Sequence, residues 1–134
     1  MADMHFPVTV SAGSLRPDGG DGVTMPHQWT DEGVVVEAAF TGGHLYHLAA
    51  AGCVLNDVYR EAERLGLRID GVRVVADGAL DTETWTSTGI EYHVEVDCDA
   101  DGARVEELLA VVDEVAEIPQ ALRVGTTVER TTSS

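Results

Sequence analysis

Apolar and polar residues change their spacing several times along the chain, and each change predicts an element. Phe6 to Ala12 alternates apolar and polar side chains, the two-residue period of a half-buried strand. Ser14 to Gly22 is dense in turn residues and predicts a hairpin or longer loop. Val23 to Met25 follows as a short strand and Gly33 to Phe40 as a second clear one, which Thr41-Gly42-Gly43 breaks. From about Gly43 to Leu65 the chain is rich in helix formers, and Gly66 supplies the stop. The first half of this segment is apolar almost all the way round, from Leu45 and Leu48 through Ala49, Ala50, Ala51 and Gly52 to Val54 and Leu55. Such a helix is expected to be buried on most sides. Its second half is amphipathic, with Arg60, Glu61, Glu63 and Arg64 facing water.

The second half of the chain repeats the change of period. Leu67 to Ala79 alternates, with a bulge or kink expected at Asp70-Gly71. Gly89 to Cys98 alternates strictly, placing Ile90, Tyr92, Val94, Val96 and Cys98 on one face and Glu91, His93, Glu95 and Asp97 on the other. Ala103 to Glu117 returns to a helical period through Val105, Leu108, Leu109 and Val112, with Asp101 as its N-cap. Ile118-Pro119 interrupts that helix, Leu122 to Val128 predicts a closing strand, and Thr131 to Ser134 a frayed tail. The predicted order is β-β-α-β-β-α-β: one α+β domain over residues 1–134, with a core from about 6 to 128 and a tail over 129–134.

Composition narrows the classes of function. Twenty-four acids stand against eight Arg and no Lys, a net charge of −16 that disfavours nucleic acid or an anionic membrane as partner. No apolar run approaches the roughly 18 to 20 residues that cross a bilayer. Met1 to His5 lacks the basic and apolar regions of a signal peptide, so a cytoplasmic location is expected. Two cysteines make no disulfide framework in that compartment. There is no C-x-x-C or H-E-x-x-H, so neither a metal site nor a cofactor is expected; His44 and His47 share a helix face but have no clear third ligand.

Cys53 is the residue whose setting invites chemistry. A free Cys usually packs as a small hydrophobe, and Cys98, at the end of an apolar strand face, is read that way. A reactive thiol needs a positive charge or a helix N-terminus beside it. Cys53 lies too far along its own helix to feel that helix's dipole. At helical spacing Tyr46, Cys53, Asp57 and Arg60 form one stripe, in which Arg60 lowers the thiol pKa and Asp57 raises it. Arg16 sits in a Gly/Pro-rich loop, where function is more frequent than in core elements.

The run Gly42-Gly43-His44-Leu45-x-x-Leu48-Ala49-Ala50-Ala51-Gly52-Cys53-x-x-x-Asp57, then Ala62-x-x-x-Gly66-Leu67-x-Ile69-x-Gly71-Val72, resembles the OsmC-like family. Thr88-Gly89-Ile90-x-Tyr92 and the strand after it fit the same pattern, so the resemblance spans about Phe6 to Val128. It implies an intertwined homodimer about two central helices, with thiol-dependent peroxidase sites at the interface in the better known branches. Cys53 corresponds to the peroxide-attacking Cys of those branches, and Arg16 is a loose match to their N-terminal-loop Arg. The resolving Cys of their Cys-Pro motif is replaced here by Ile118 before Pro119, and their supporting Glu by Gly43. The resemblance thus implies a one-Cys hydroperoxide reductase that uses an external thiol as reductant. The alternatives are a non-peroxidase relative holding a small apolar ligand, or catalysing another reaction, in the interface pocket, and an interaction or stress protein with no pocket chemistry, consistent with the acidic surface. Candidate catalytic residues are Cys53 and Arg16; candidate substrate-binding residues are His44, Tyr46 and His47.

Overall fold

The protein is described by a computed structural model covering residues 4–131. Most of the tail expected from 131 onward therefore lies outside the described residues. The elements are β1 (Met4–His5), β2 (Val8–Gly13), β3 (Val23–Met25), β4 (Val34–Glu37), α1 (Gly42–Leu65), β5 (Gly71–Leu80), β6 (Ser87–Asp97), α2 (Gly102–Val115) and α3 (Glu117–Val124). The α+β class holds, and the six strands form one antiparallel sheet. β5 pairs with β6 on one side and with β2 and β1 on the other. β1 and β2 are nearly one strand, parted at Phe6-Pro7, where proline has no N–H to donate to the ladder. β4 and β3 continue the sheet beyond β2.

α1 lies on the face of the sheet that carries Val8, Val10 and Ala12 of β2 and Val72, Val74 and Ala76 of β5, all of them buried. Val54, Leu55, Val58 and Ala62 fill the helix side of this contact and are no more than 1% exposed. Full burial of a Val or Leu is worth about 1.5–3 kcal/mol, so this seam dominates the core. α1 is well closed at both ends. The Thr41 hydroxyl accepts from the His44 N–H at 3.1 Å. At the other end Gly66 takes the left-handed conformation at φ 71°, and Leu67 N–H donates to Ala62 C=O at 2.9 Å. α2 packs beside α1 through Leu108 and Val112, and its N-cap is Asp101 as expected, accepting from the Arg104 N–H at 2.9 Å.

Four expectations are corrected. α1 is not buried all round, because Leu45 and Ala49 remain exposed and Leu48, Gly52, Cys53 and Asn56 half-buried on one stripe. The closing strand at Leu122 to Val128 is absent: Pro119 falls in the first turn of α3, where its missing N–H costs nothing, and Gln120, Ala121, Leu122 and Arg123 continue as helix. The element order is accordingly β-β-β-β-α-β-β-α-α rather than β-β-α-β-β-α-β. Finally, Asp70-Gly71 begins β5 instead of kinking it, and the irregularity in the β5–β6 register falls between Gly78 and Leu80.

That irregularity accommodates a buried histidine. His47 is wholly buried and donates from Nδ1 to the Gly43 carbonyl at 2.7 Å. Nε2 packs against Gly78 and has no hydrogen-bond partner among the described residues. A β-carbon at Gly78 would sit about 2.5 Å from Nε2 and collide with the Gly89 carbonyl as well. Gly78→Ala should therefore destabilise the fold by about 1–3 kcal/mol in chemical denaturation, as overpacking does. An unchanged denaturation midpoint would show that the β5–β6 hairpin yields at this point.

Candidate functional site

Cys53 occupies the middle of α1, and the site around it draws on two elements far apart in sequence. The last residue of the α2–α3 junction, Ala116, is extended, and this turns the first residues of α3 back onto α1. Glu117 thereby meets the thiol, with Cys53 Sγ donating to Glu117 Oε2 at 3.6 Å. The other carboxylate oxygen, Oε1, accepts from Arg60 Nη1 at 2.6 Å. Arg60 Nη2 also lies 3.1 Å from Asp57 Oδ2, and its Nε donates to Glu61 Oε2 at 3.2 Å. One guanidinium thus serves three carboxylates, while Arg64 pairs with Glu61 at 2.9 Å.

The electrostatics of the cluster follow from burial and charge count. Asp57 is 2% exposed, and burial lifts its carboxyl from 3.8 to about 6, against the opposing pull of Arg60. Burial also pushes the Cys53 thiol above its ordinary value, and Asp57 and Glu117 add to the rise. Opposing them is a hydrogen bond from the Ile118 backbone at the first turn of α3. Cys53 is too distant from the start of α1 to use its dipole, and the fold sets another helix start against it. Arg60 lowers the Glu117 carboxyl, so at rest the proton stays on sulfur. Sγ and the Asp57 and Glu117 carboxylates lie within 4.8 Å of one another, a possible set of metal ligands that no sequence spacing announced.

The other candidates are dispersed. Arg16 donates from Nε to the Gly13 carbonyl at 3.2 Å and lies 3.9 Å from Glu32; its described partners do not include Cys53. His44 pairs with Thr41 at the start of α1 at 2.6 Å, edge-on to Phe6. His47 is sealed between Phe6 and Tyr46. Tyr46 does line a cavity of about 230 Å³, closed by Ala50 of α1, Ile90 and Tyr92 of β6 and Pro119 and Leu122 of α3, with Arg123 at its edge. Tyr46 and Ala50 belong to the stripe of α1 that carries Cys53 and Asp57, although no residue of the thiol cluster lines the cavity itself. The Phe6 ring fills the space beside Gly43, where any side chain, including the glutamate implied by resemblance, would collide with it.

Sequence spacing placed Asp57 and Arg60 beside Cys53 but missed Glu117, which is 64 residues away from the thiol. The only hint was Ile118-Pro119 after a helical period, a signal for a break and a fresh helix start. A carboxyl raised in the folded state favours folding at low pH and loses that contribution as pH rises through about 6. The stability of Asp57→Asn relative to wild type should therefore improve between pH 4 and pH 7 in thermal melts. A constant difference across that range would show that Arg60 keeps Asp57 ionised throughout.

The model of the OsmC-like protein family matches residues 35–131. The chain is also similar to a solved structure, an OsmC-like hydroperoxide resistance protein from Jannaschia sp. CCS1. The two share 15% sequence identity and a TM-score of 0.54, over 97% of this chain and 94% of that one. At that identity the likeness concerns the fold. No curated protein matches the chain. No described helix is long and apolar enough to cross a membrane. With a family match over most of its length, this chain belongs to the OsmC-like proteins.

Proposed function

We propose that the protein is a one-Cys, thiol-dependent hydroperoxide reductase acting on organic peroxides through Cys53. One observation carries this reading: the thiol donates to a carboxylate, Glu117, that an arginine, Arg60, holds from its other oxygen. The glutamate missing at Gly43 thus has a counterpart in space, and the first turn of α3 adds a backbone N–H toward sulfur. The relative named a hydroperoxide resistance protein lends support at the level of the fold.

In this mechanism Glu117 takes the thiol proton as sulfur attacks the distal peroxide oxygen. The S–O bond forms, the O–O bond breaks, and the electron pair leaves with the alkoxide, which receives the proton and departs as the alcohol. Cys53 is left as a sulfenic acid, oxidised by two electrons. Both cysteines are free, and neither of the contacts made by Cys53 is to Cys98, so an external thiol completes the cycle. It displaces water to form a mixed disulfide, and a second thiol releases Cys53. The apolar cavity suits the organic portion of the peroxide. This chemistry belongs in the cytoplasm, where thiol reductants are maintained.

Because the thiol is raised, its reactive fraction grows about tenfold per pH unit below its pKa. Thiol-dependent consumption of an organic hydroperoxide should rise steeply from pH 6 to pH 8 and vanish in Cys53→Ser. Glu117→Gln should lower it about 10²-fold or more, the typical worth of a positioned base. A second reading rests on the same cavity: a small apolar ligand held without redox chemistry. Absence of peroxide consumption by wild type, with apolar probe binding retained in Cys53→Ser, would favour that reading and sink the first.

The partly exposed stripe of α1 supports a homodimer, with the helix meeting its twin along exposed Leu45 and Ala49 and half-buried Gly52. Among the described residues, nothing lies within 4 Å of a β-carbon added at Gly52. Gly52→Leu should consequently leave the circular dichroism spectrum and the monomer fold intact while converting a dimer to 14.3 kDa monomers in light scattering. A wild-type protein that already scatters as a monomer would refute the dimer.

A further inference from the structure

We propose that Cys53, Asp57 and Glu117 form a binding site for one divalent transition-metal ion of the zinc class. The three side chains come from two helices, and their ligand atoms all lie within 4.8 Å of one another. In a tetrahedral site with Zn–S near 2.3 Å and Zn–O near 2.0–2.2 Å, neighbouring sulfur and oxygen ligands stand about 3.5 Å apart. Cys53 Sγ and Glu117 Oε2 already stand 3.6 Å apart. The Glu117 side chain is exposed, so it is free to adjust toward an ion held by the other two ligands.

A second observation separates this cluster from a surface group of acids. Asp57 is 2% exposed, and its buried Oδ2 has no hydrogen-bond partner among the described residues. Arg60 Nη2 lies 3.1 Å from that oxygen and supplies charge, yet the contact lacks hydrogen-bond alignment. A buried carboxylate oxygen left in this state is costly, and a metal ion satisfies it directly.

The charges also close. With Cys53 as thiolate, the three ligands and Glu61 carry −4; a divalent ion supplies +2, and Arg60 and Arg64, both paired with Glu61, supply the other +2. Binding releases the thiol proton to solvent, with no change in oxidation state. One thiolate with two carboxylates is a mixed donor set that suits zinc or cobalt(II) better than magnesium or calcium, which take oxygen ligands alone. Three protein ligands leave a fourth position for water.

The site does not rest on the peroxidase reading, although the two compete for the same sulfur. Cobalt(II) is the probe, added to the reduced full-length protein without peroxide. One equivalent per chain should bind, with the visible bands of a tetrahedral ion and a near-ultraviolet thiolate-to-cobalt band. Cys53→Ser should abolish the near-ultraviolet band. Glu117→Gln, a change at an exposed side chain, should weaken binding about tenfold or more while the protein stays folded. Cobalt bound without a thiolate band, equal affinity in Glu117→Gln, or no binding at all would each overturn the site. Peroxide consumption by the metal-free protein is read separately, so failure of one activity leaves the other measurable.

Discussion

The contact between α1 and the inner face of β2 and β5 is the constraint on which the rest of the structure depends. Val54, Leu55 and Val58 interlock with Val8, Val10, Val72 and Val74, and among the described residues Tyr59 is the largest buried side chain of this core, with Trp29 packed at its edge. With few aromatic residues, close approach of many small side chains supplies the burial. Once that seam is set, the helix can turn about its axis very little. The stripe bearing Tyr46, Cys53, Asp57 and Arg60 then has to face α3, and the stripe of Leu45, Ala49 and Gly52 has to face outward.

The position of the helix also explains the chemistry of the thiol. Cys53 is half-buried in an acidic protein, and both facts keep the proton on sulfur. Against them stands one helix start, through the backbone of Ile118. Arg60 is shared by Asp57, Glu61 and Glu117, so its field at sulfur is largely cancelled by its own partners. The result is a thiol that keeps its proton and donates it in a hydrogen bond to the Glu117 carboxylate.

Around Gly43 the chain has solved a packing problem differently from the family pattern it resembles. Phe6, carried by the break between β1 and β2, lies where a side chain at position 43 would extend. The same ring stacks on His47, whose Nδ1 is held by the Gly43 carbonyl and whose Nε2 demands a glycine opposite it in β5. The bare backbone at Gly43 and the burial of the histidine are therefore parts of one local arrangement, and the carboxylate beside the thiol is that of Glu117.

Much of the architecture was legible in the chain alone, because it follows from short-range periodicity. The long helix with its stop at Gly66, the N-cap at Asp101, the strictly alternating strand over Ile90 to Val96 and the stripe joining Cys53, Asp57 and Arg60 all depend on residues a few positions apart. Leu122 to Val128 was misread because a short apolar run suits strand and helix alike, and only the packing of Pro119 and Leu122 against the cavity beside α1 decides between them. The placement of Glu117 on the thiol, the second helix start beside it and the exposed stripe on α1 had no local signature. They arise where segments distant in sequence meet, and those meetings are settled by which apolar faces bury together. The sequence by itself determined the elements and the residue types available for chemistry; the tertiary structure decided which charges would share the neighbourhood of Cys53.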